Sequence, residues 1–389
     1  MNTLGPANIR HANALACIDV FRAVDQPLSI SDIAARTGLS RPTIESVISG
    51  FELRGLVTEV EAAEAASSGG RPARRYALEA TSALVAGIDA GPRNVRVLIA
   101  DLRGHIIARA TKVIAGAPAS DERLDIVSAV TAEALERSGV PAANLQAACI
   151  AVSGIVGESG RLIDSFAVPE WNGVSIAEHI AAGFDCAAVL ENDIKLAAYA
   201  EHHMGAAQDV DNILFIQIGN RISLSQTFDG QIFQGAHRSA GEVSSLRGMH
   251  WTKTSVKGQL TWRSGQTAEQ VFASAATGDA TALDEVTAFI QEIAPLLTTV
   301  SLVVDPARIV VGGGLSRAGD LFVDMLREEM HRLIVLANKP EVTASPLGST
   351  GTASGALALA FQFGSESLFG IADVTVPTFV LDRETTEIA

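Results

Sequence analysis

Cysteine and long apolar runs are scarce in this sequence, and each shortage argues against particular classes of protein. Its three cysteines, Cys17, Cys149 and Cys186, stand far apart in apolar stretches, which is typical of buried, inert thiols rather than of a disulfide framework or a metal site. Because Asp, Glu, Arg or Gly interrupts every apolar run, we expect no membrane-spanning helix. No basic stretch precedes an apolar core at the N-terminus, so the sequence predicts a cytoplasmic protein without a secretory signal.

Positive charge is also in short supply. The chain has 29 Lys and Arg against 44 Asp and Glu, a net charge of −15, and this balance by itself argues against a DNA partner because polyanions attract cationic surfaces. The acidity, however, belongs mainly to the part after residue 80, so a near-neutral N-terminal module can still present an arginine-rich face. The basic residues before that point are Arg10, Arg22, Arg36, Arg41, Arg54, Arg71, Arg74 and Arg75.

Length and patterning predict more than one domain. At 389 residues the chain is too long for one ordinary core. Residues 1–80 show three helical patterns and a hairpin, the outline of a winged helix-turn-helix. The helices are expected at about 8–24, 30–37 and 41–53, and the two strands at about 56–60 and 76–78. After residue 80 strands alternate with helices, which predicts an α/β fold. The strand candidates lie at 84–89, 95–101, 146–152, 187–190, 213–218 and 309–311.

The strongest local motif is the helix-turn-helix at residues 30–47. Gly38 supplies the left-handed backbone turn between the two helices, which a side chain would oppose. Ser40 is the expected N-cap of the second helix, and Pro42 suits its first turn. The apolar residues that anchor this helix in the small core are expected to be Leu39, Ile44 and Val47.

The motif and the following basic loop predict a DNA-binding surface. The N-terminal end of the second helix enters the major groove in such motifs, and its outward residues are Ser40, Arg41, Thr43, Glu45 and Ser46. Arg41 and Thr43 are expected to touch phosphates or base edges, and Glu45 to accept from a cytosine amino group. In the wing, Arg71, Arg74 and Arg75 favour phosphate or minor-groove contact. The alternatives are an ordinary helical hairpin and a solvated charged loop.

Five segments after residue 80, in the right order, resemble the ROK family of bacterial sugar kinases and sugar-responsive repressors. They are residues 87–91 (GIDAG), 190–193 (LEND), 235–243 (GAHRSAGEV), 306–315 (PARIVVGGGL) and 347–356. The resemblance implies a two-lobed actin-like, ribonuclease-H-like ATPase fold over residues 81–389, behind the winged helix of residues 1–80. The smaller lobe is expected at about 83–195 and the larger at 196–360. Residues 361–389 then return to the smaller lobe or form an oligomer contact.

The departures from the family pattern predict a domain without kinase cofactors. A phosphate loop needs small residues and free backbone amides, but Pro92 and Arg93 stand where the family has glycine and threonine, and residues 219–223 read GNRIS in the second loop. We therefore expect ATP not to be bound productively. The family's histidine and cysteine cluster is replaced from Val243 onward, and His250 alone cannot form a tetrahedral site, so we predict no structural zinc and no other metal.

Only some of the family's sugar-binding residues are present in this sequence. By resemblance Asp193 stands in the place of the kinase base, with Asn192 and Glu242 as ligand-binding residues. Ser245 replaces the family histidine and Ala167 an asparagine, so the pocket has fewer hydrogen-bonding partners. We expect Asp193 to be idle as a catalyst and the protein not to be an enzyme. Two alternatives stay open, namely that the pocket binds a small carbohydrate effector, or that Asp193 merely caps the following helix.

Three functions follow from these observations. The first is a sequence-specific regulator, a repressor of carbohydrate-related genes, that binds a double-stranded operator as a homodimer or homotetramer, with no membrane partner. The second is an active sugar kinase with a DNA-binding head, which Asp193 supports and Pro92 and Arg93 oppose. The third is an effector-independent regulator with a vestigial pocket.

Overall fold

The N-terminal head is a winged helix-turn-helix. The structure, a computed structural model, describes residues 6–60, 74–219, 221–246, 250–253, 260–314 and 320–379. The three strands of the head form one antiparallel sheet in the order β1-β3-β2. Its elements are α1 (Pro6–Arg22), β1 (Leu28–Ser29), α2 (Ile30–Thr37), α3 (Arg41–Leu53), β2 (Val57–Val60) and β3 (Arg75–Leu78). The predicted bounds of α2 and α3 are confirmed.

Local signals set the two central helices of the head. Ser29 and Asp32 form a reciprocal capping box at the start of α2, and Gly38 ends that helix with φ of 71°. The Ser40 side chain accepts a hydrogen bond from the Thr43 backbone amide, as expected of an N-cap. The core beneath α3 contains more residues than the expected ones. Ile44 is fully buried and the half-buried Leu39 and Val47 pack against the same core, as predicted, while Ile48 and Phe51 are buried in it as well.

The first lobe of the body is built on a five-stranded sheet in the order β10-β7-β4-β5-β6. β4, β5 and β6 form an antiparallel meander, and β7 and β10 add to it in parallel. The strands are β4 (Leu84–Ala90), β5 (Asn94–Asp101), β6 (Ile106–Val113), β7 (Leu145–Val152) and β10 (Ala187–Asn192). The other elements are the helices α4 (Ser120–Ser138) and α5 (Ile176–Phe184) and the small hairpin of β8 (Ile155–Val156) and β9 (Leu162–Asp164).

The second lobe has its own five-stranded sheet in the order β13-β12-β11-β14-β15. β14 and β15 run parallel to β11, whereas β12 and β13 are antiparallel. The strands are β11 (Ile213–Ile218), β12 (Ile222–Phe228), β13 (Gln231–Ile232), β14 (Arg308–Gly312) and β15 (Glu341–Ala344). The helices that accompany this sheet are α7 (Ala268–Ala276), α8 (Ala280–Val304) and α9 (Asp320–Leu333). The mixed α/β fold that the sequence predicts is confirmed.

Among the residues that the structure describes, one helix qualifies as a membrane span by length and composition alone. It is α8, with 25 residues, and we expected no apolar run of that length. A core helix of a globular protein passes the same test. The α8 residues Val286, Phe289 and Leu297 are buried in the core of the second lobe with Phe272 and Phe322. We therefore assign α8 to that core.

Two tightly packed helices join the lobes. α6 (Asp193–Met204) contacts strands of both sheets, and α10 (Gly351–Phe363) packs against α6 as well as β4 and β7. A Cβ atom at Gly355 would stand 2.5 Å from the carbonyl carbon of Leu196 in α6, so only glycine allows this approach. The chain thus returns to the first sheet at Gly351 and continues into α11 (Ser365–Phe369). The predicted lobe boundaries stay predictions.

Two arginines help to fix the head to the body. Arg103, in the turn between β5 and β6, donates hydrogen bonds to the carbonyl oxygens of Phe21, Arg22 and Val24 at 2.7, 3.0 and 2.8 Å, at the C-terminal end of α1. Arg22 donates in return to the carbonyl oxygen of Leu102 at 3.1 Å, and its guanidinium lies 4.9 Å from the ring centroid of Phe361 in α10. A cation at a helix C-terminus is favourable, so these contacts hold α1 on the body.

Replacing Arg103 by alanine is expected to loosen the head. The variant loses three charge-assisted hydrogen bonds and leaves the last carbonyl groups of α1 without them, a loss of about 2 kcal/mol in the free energy of unfolding. Hydrogen exchange of the α1 amides checks the loosening of the head, and urea unfolding checks the loss of stability. Arg137→Ala, an exposed arginine on α4, is the control. Unchanged protection of α1 in Arg103→Ala would contradict the role given to this side chain.

Candidate DNA interface and ligand cleft

The predicted reading end of α3 lies at the surface. Ser40, Arg41, Glu45 and Ser46 are exposed, and Thr43 is half-buried. The Arg41 guanidinium donates to the Ser31 hydroxyl at 2.9 Å, and the hydroxyls of Thr43 and Ser40 are 2.8 Å apart. These short side-chain contacts order the start of α3 while leaving further donors on Arg41 for a nucleic acid.

The wing arginines are held by acids of the head. Arg74 lies 3.4 Å from Glu59, and Arg75 donates to the Pro27 carbonyl oxygen at 2.9 Å and lies 3.7 Å from Asp32. Arg75 therefore ties β3 to the start of α2, a structural role that the sequence did not suggest. The predicted contact residue Arg71 lies outside the described residues.

A groove of about 440 Å³ runs between α1, α3 and the segment that follows α11. Thr43 and Ser46 face it, together with two arginines that the sequence reading did not select, Arg10 and Arg54. The Arg54 guanidinium lies where a Cβ atom of Gly370 would be, so the C-terminal end of α3 rests on the body. No local sequence signal predicts this contact, because it depends on how the head packs on the body.

The three predicted ligand-binding residues line one cleft of about 610 Å³ between the lobes. Asp193 begins α6 at the floor of this cleft. Its carboxylate accepts one hydrogen bond from the Ser153 hydroxyl and another from the Ile194 amide at 2.9 Å. Burial raises the pKa of Asp193 to about 7, and the neighbouring carboxylates of Asp89 and Glu242 add to the rise against the lowering effect of those hydrogen bonds. This carboxyl can therefore exchange a proton near neutral pH.

The cap of α6 is Asn192 rather than Asp193, which corrects the alternative raised from the sequence. Its Oδ1 atom accepts from the backbone amides of Ile194 and Lys195, both at 3.0 Å, and its Nδ2 atom donates to the Gly154 carbonyl oxygen at 2.8 Å. With 4% of its surface exposed, Asn192 shapes the cleft mainly through the backbone. Ligand binding by Asn192 stays a prediction.

A buried polar network holds the Glu242 side of the cleft. Lys195, in the first turn of α6, donates to the side-chain oxygen of Gln234 at 2.7 Å and to the carbonyl oxygen of Arg238 at 2.6 Å, and Gln234 donates to Glu191. Burial raises the pKa of Glu242, and nearby Lys195 partly offsets the rise. Sequence reasoning missed this network because its members are close only after the loop before Glu242 folds back onto α6.

A second cavity of about 370 Å³ adjoins the cleft on the side where the family resemblance places a nucleotide. Burial raises the pKa of Asp89 there to about 6, and Arg96, 3.2 Å away, partly offsets the rise. Its wall includes glycines of the segment after β14, but also Pro92 and Arg93. Pro92 has no amide hydrogen to give a phosphate, so the residues fit ATP poorly, and the absence of productive ATP binding stays a prediction.

The donor set does not fit a structural zinc ion either. Among the residues that the structure describes, no group of three or more His, Cys, Asp or Glu side chains is placed to hold a metal. Burial raises the pKa of Cys17 to about 11 and that of Cys149 well above its usual value, so neither presents a thiolate. The absence of zinc stays a prediction.

Comparison with known proteins agrees with this architecture. The ROK family model matches residues 85–246 and 249–362, and the IclR helix-turn-helix domain model matches residues 12–61. The xylose repressor of Bacillus subtilis is 21% identical over 222 residues, which cover 57% of this chain and 57% of the repressor. The solved structures that share the fold include a regulator and a kinase. A ROK family transcriptional regulator homologous to the E. coli MLC protein has a TM-score of 0.70, 20% identity and coverage of 92% of this chain and 98% of its own. A ROK family glucokinase from Streptomyces griseus has a TM-score of 0.60, 21% identity and coverage of 72% and 99%.

Proposed function

The chain belongs to the ROK family and carries an IclR-type helix-turn-helix domain at its N-terminus, and from this premise we propose that it is a sequence-specific DNA-binding regulator of carbohydrate-related genes. The observation that carries the proposal is a winged helix whose reading end is exposed while its opposite end is fixed to a body with a ligand cleft. We propose further that it acts as a repressor in the cytoplasm, as a homodimer or homotetramer, and without catalysis.

DNA contact is assigned to the N-terminal end of α3. Its exposed side chains offer the hydrogen-bonding groups that read base edges, namely the Arg41 guanidinium, the hydroxyls of Ser40, Thr43 and Ser46, and the Glu45 carboxylate. Arg74 and Arg75 are assigned to the phosphate backbone or the minor groove, where their partners Glu59 and Asp32 would have to release part of their hold. For that reason we expect Arg41 to contribute more than either wing arginine.

A continuous set of contacts links the cleft to the head. Asp193 starts α6 at the floor of the cleft, Gly355 brings α10 against α6, and Tyr199 of α6 donates a hydrogen bond to Gln362 at 2.7 Å. Phe361 of α10 then contacts Arg22 at the end of α1. A ligand that prefers one arrangement of the lobes would therefore shift the position of α1, and with it DNA affinity.

An active sugar kinase with a DNA-binding head is the second candidate. Asp193, with a pKa of about 7, is suited to take a proton from a sugar hydroxyl, and the fold is shared with a glucokinase. Pro92 and Arg93 at the phosphate side argue against it. Release of ADP in the presence of a sugar panel separates the two candidates.

Selection of bound duplexes from a random DNA pool tests the regulator. The wild-type protein is expected to enrich a palindromic sequence, because two symmetric heads read two half-sites. The double variant Arg41→Ala, Thr43→Ala keeps the backbone amide that Ser40 caps and is expected to bind the enriched site at least tenfold more weakly, since a base contact contributes about 1–3 kcal/mol.

The matched control is Arg137→Ala, which removes one positive charge from the body, far from α3 in the sequence and on a different domain. It is expected to enrich the same palindrome with wild-type affinity. If the wild-type protein enriches no sequence at moderate salt, the proposal of a sequence-specific regulator is wrong.

A further inference from the structure

Two arginines border the ligand cleft from opposite lobes. Arg93 lies in the turn between β4 and β5 of the first sheet, and Arg221 directly precedes β12 of the second sheet. Both side chains are exposed, and in the part of the chain that the structure describes neither guanidinium has an ion pair or a side-chain hydrogen bond. Most other arginines of the body are engaged, as Arg96, Arg103, Arg123, Arg238 and Arg308 show.

The rest of the same cleft has a different chemistry. Asp193, Glu242 and Asp164 line it together with the hydroxyls of Ser153 and Ser223. Carboxylates and hydroxyls of this kind accept hydrogen bonds from the hydroxyl groups of a polyol. Phe166, which is 78% exposed, also borders the cleft, and an aromatic face at a pocket edge covers the apolar side of a small ring.

We propose that the effector is a sugar carrying one anionic group, a phosphate or a carboxylate, which Arg93 and Arg221 bind together while the acidic part of the cleft holds the hydroxyls. The proposal rests on the proposed regulatory function and names the ligand class of its cleft. Guanidinium groups suit it because they bind phosphate and carboxylate through paired hydrogen bonds. They also replace what Pro92 removes, since binding by side chains needs no backbone amide at that position.

The position of the two arginines on different lobes gives the anion a role in closing the cleft. Without it, two positive charges border the same cleft, one from each lobe, and like charges repel, which favours separated lobes. An anion between them attracts both and favours the closed arrangement, so it binds the two arrangements with different affinity, as a conformational effector must. A neutral sugar would leave the repulsion in place. The charge of the ligand therefore decides whether its binding favours the closed arrangement.

Matched ligand sets test the proposal by calorimetry on the full-length protein. Each set contains a neutral sugar, its 6-phosphate and its sugar acid, for example glucose, glucose 6-phosphate and gluconate, with equivalent sets for other hexoses and hexosamines. In at least one set the anionic member is expected to bind about tenfold more tightly than the neutral one, and more weakly as salt is raised. Comparison of the phosphate with the acid identifies the anionic group.

The variants Arg93→Gln and Arg221→Gln are each expected to weaken that anionic ligand about tenfold, because a charge-assisted hydrogen bond is lost, and to leave the neutral sugar unchanged. Arg137→Gln is the matched control and should change neither. Equal affinity for neutral and anionic members, anion binding that ignores both variants, or no binding of any anionic sugar would each overturn the proposal.

DNA selection on the same preparation separates the two failures. An enriched palindrome with no preference for anionic sugars overturns only the assignment of the ligand and leaves the regulator intact. Preference for an anionic sugar without any enriched sequence overturns the regulator and leaves the binding site.

Discussion

Gly355→Ala is expected to destabilise the protein by about 4 kcal/mol or more. The added Cβ atom would stand 2.5 Å from the carbonyl carbon of Leu196 and still closer to its oxygen. Both helices are buried at this point, and the atoms in the way belong to the backbone of α6, which cannot rotate aside as a side chain can. Overpacking of a buried contact costs about 1–3 kcal/mol where neighbours can adjust and more where they cannot.

Gly183→Ala is the matched control for this variant. Gly183 is also helical, in α5, and nothing lies within 4 Å of the position that its Cβ atom would take. Alanine there is expected to be neutral or to stabilise the helix by up to about 1 kcal/mol. Urea unfolding of the two variants beside the wild type makes the measurement. If Gly355→Ala unfolds at the wild-type urea concentration, the close contact of α6 and α10 is not as the structure has it.

The helix-turn-helix could be predicted from the sequence because its signals are local. The glycine turn at Gly38, the cap at Ser40 and the apolar spacing of α3 lie within a few residues of one another, and each has one physical meaning. The two strands joined at Gly91 and Pro92 could be predicted for the same reason, since their signals are also local. The family resemblance supplied the rest of the body, since short strands such as β13 and β15 carry little pattern of their own.

The N-cap of α6 could not be predicted from the neighbouring residues in the sequence. Asparagine and aspartate are both good N-caps, so the sequence alone cannot choose between Asn192 and Asp193. The choice is made by β10, which was predicted to end at Leu190 but pairs with β7 as far as Asn192. That pairing leaves Asn192 at the junction and frees Asp193 for the cleft. Its role thus depends on a partner strand more than thirty residues earlier in the chain.

The contacts between head and body could not be predicted from the sequence for a related reason. Arg103 sits in a short turn after β5, and nothing near it announces that it binds the end of α1. The same holds for Arg54 against Gly370. Both contacts join parts of the chain that are distant in sequence. Arg54 had been counted only among the basic residues of the head, and Arg103 had drawn no prediction at all. Docking the head decides which arginines are structural and which are left for DNA.

Asp193→Asn is expected to stabilise the protein, increasingly so as the pH rises from about 4 to about 7. In the unfolded chain this carboxyl loses its proton near pH 3.8, whereas in the folded protein its pKa is about 7. Between these values the folded state binds more protons than the unfolded state, so the stability of the wild type falls as pH rises. Above pH 7 the loss is complete, on the order of 4 kcal/mol at about 1.4 kcal/mol per unit of pH.

Asparagine removes that loss while keeping the local contacts. Its amide oxygen can accept from the Ile194 amide, and its amide nitrogen can donate to Ser153. It also relieves Asp89 and Glu242, the two carboxyls whose charges bear on Asp193. Thermal unfolding at pH 5 and pH 8 should therefore show a larger gain at pH 8. Asp284→Asn, an exposed carboxyl on α8, serves as control, and an equal gain at both pH values would refute the assignment.

The same variant separates a working cleft from a vestigial one. A carboxyl that destabilises the fold, held by Ser153 at the floor of a cleft, is what a binding site retains when activity needs a group that stability does not. In a working cleft, Asp193→Asn raises stability but weakens the sugar and removes its effect on DNA affinity, because a hydrogen-bond acceptor for ligand hydroxyls is lost. In a vestigial cleft it raises stability and leaves DNA binding and its response to sugars unchanged. Measuring unfolding and operator affinity together on this one variant decides between them.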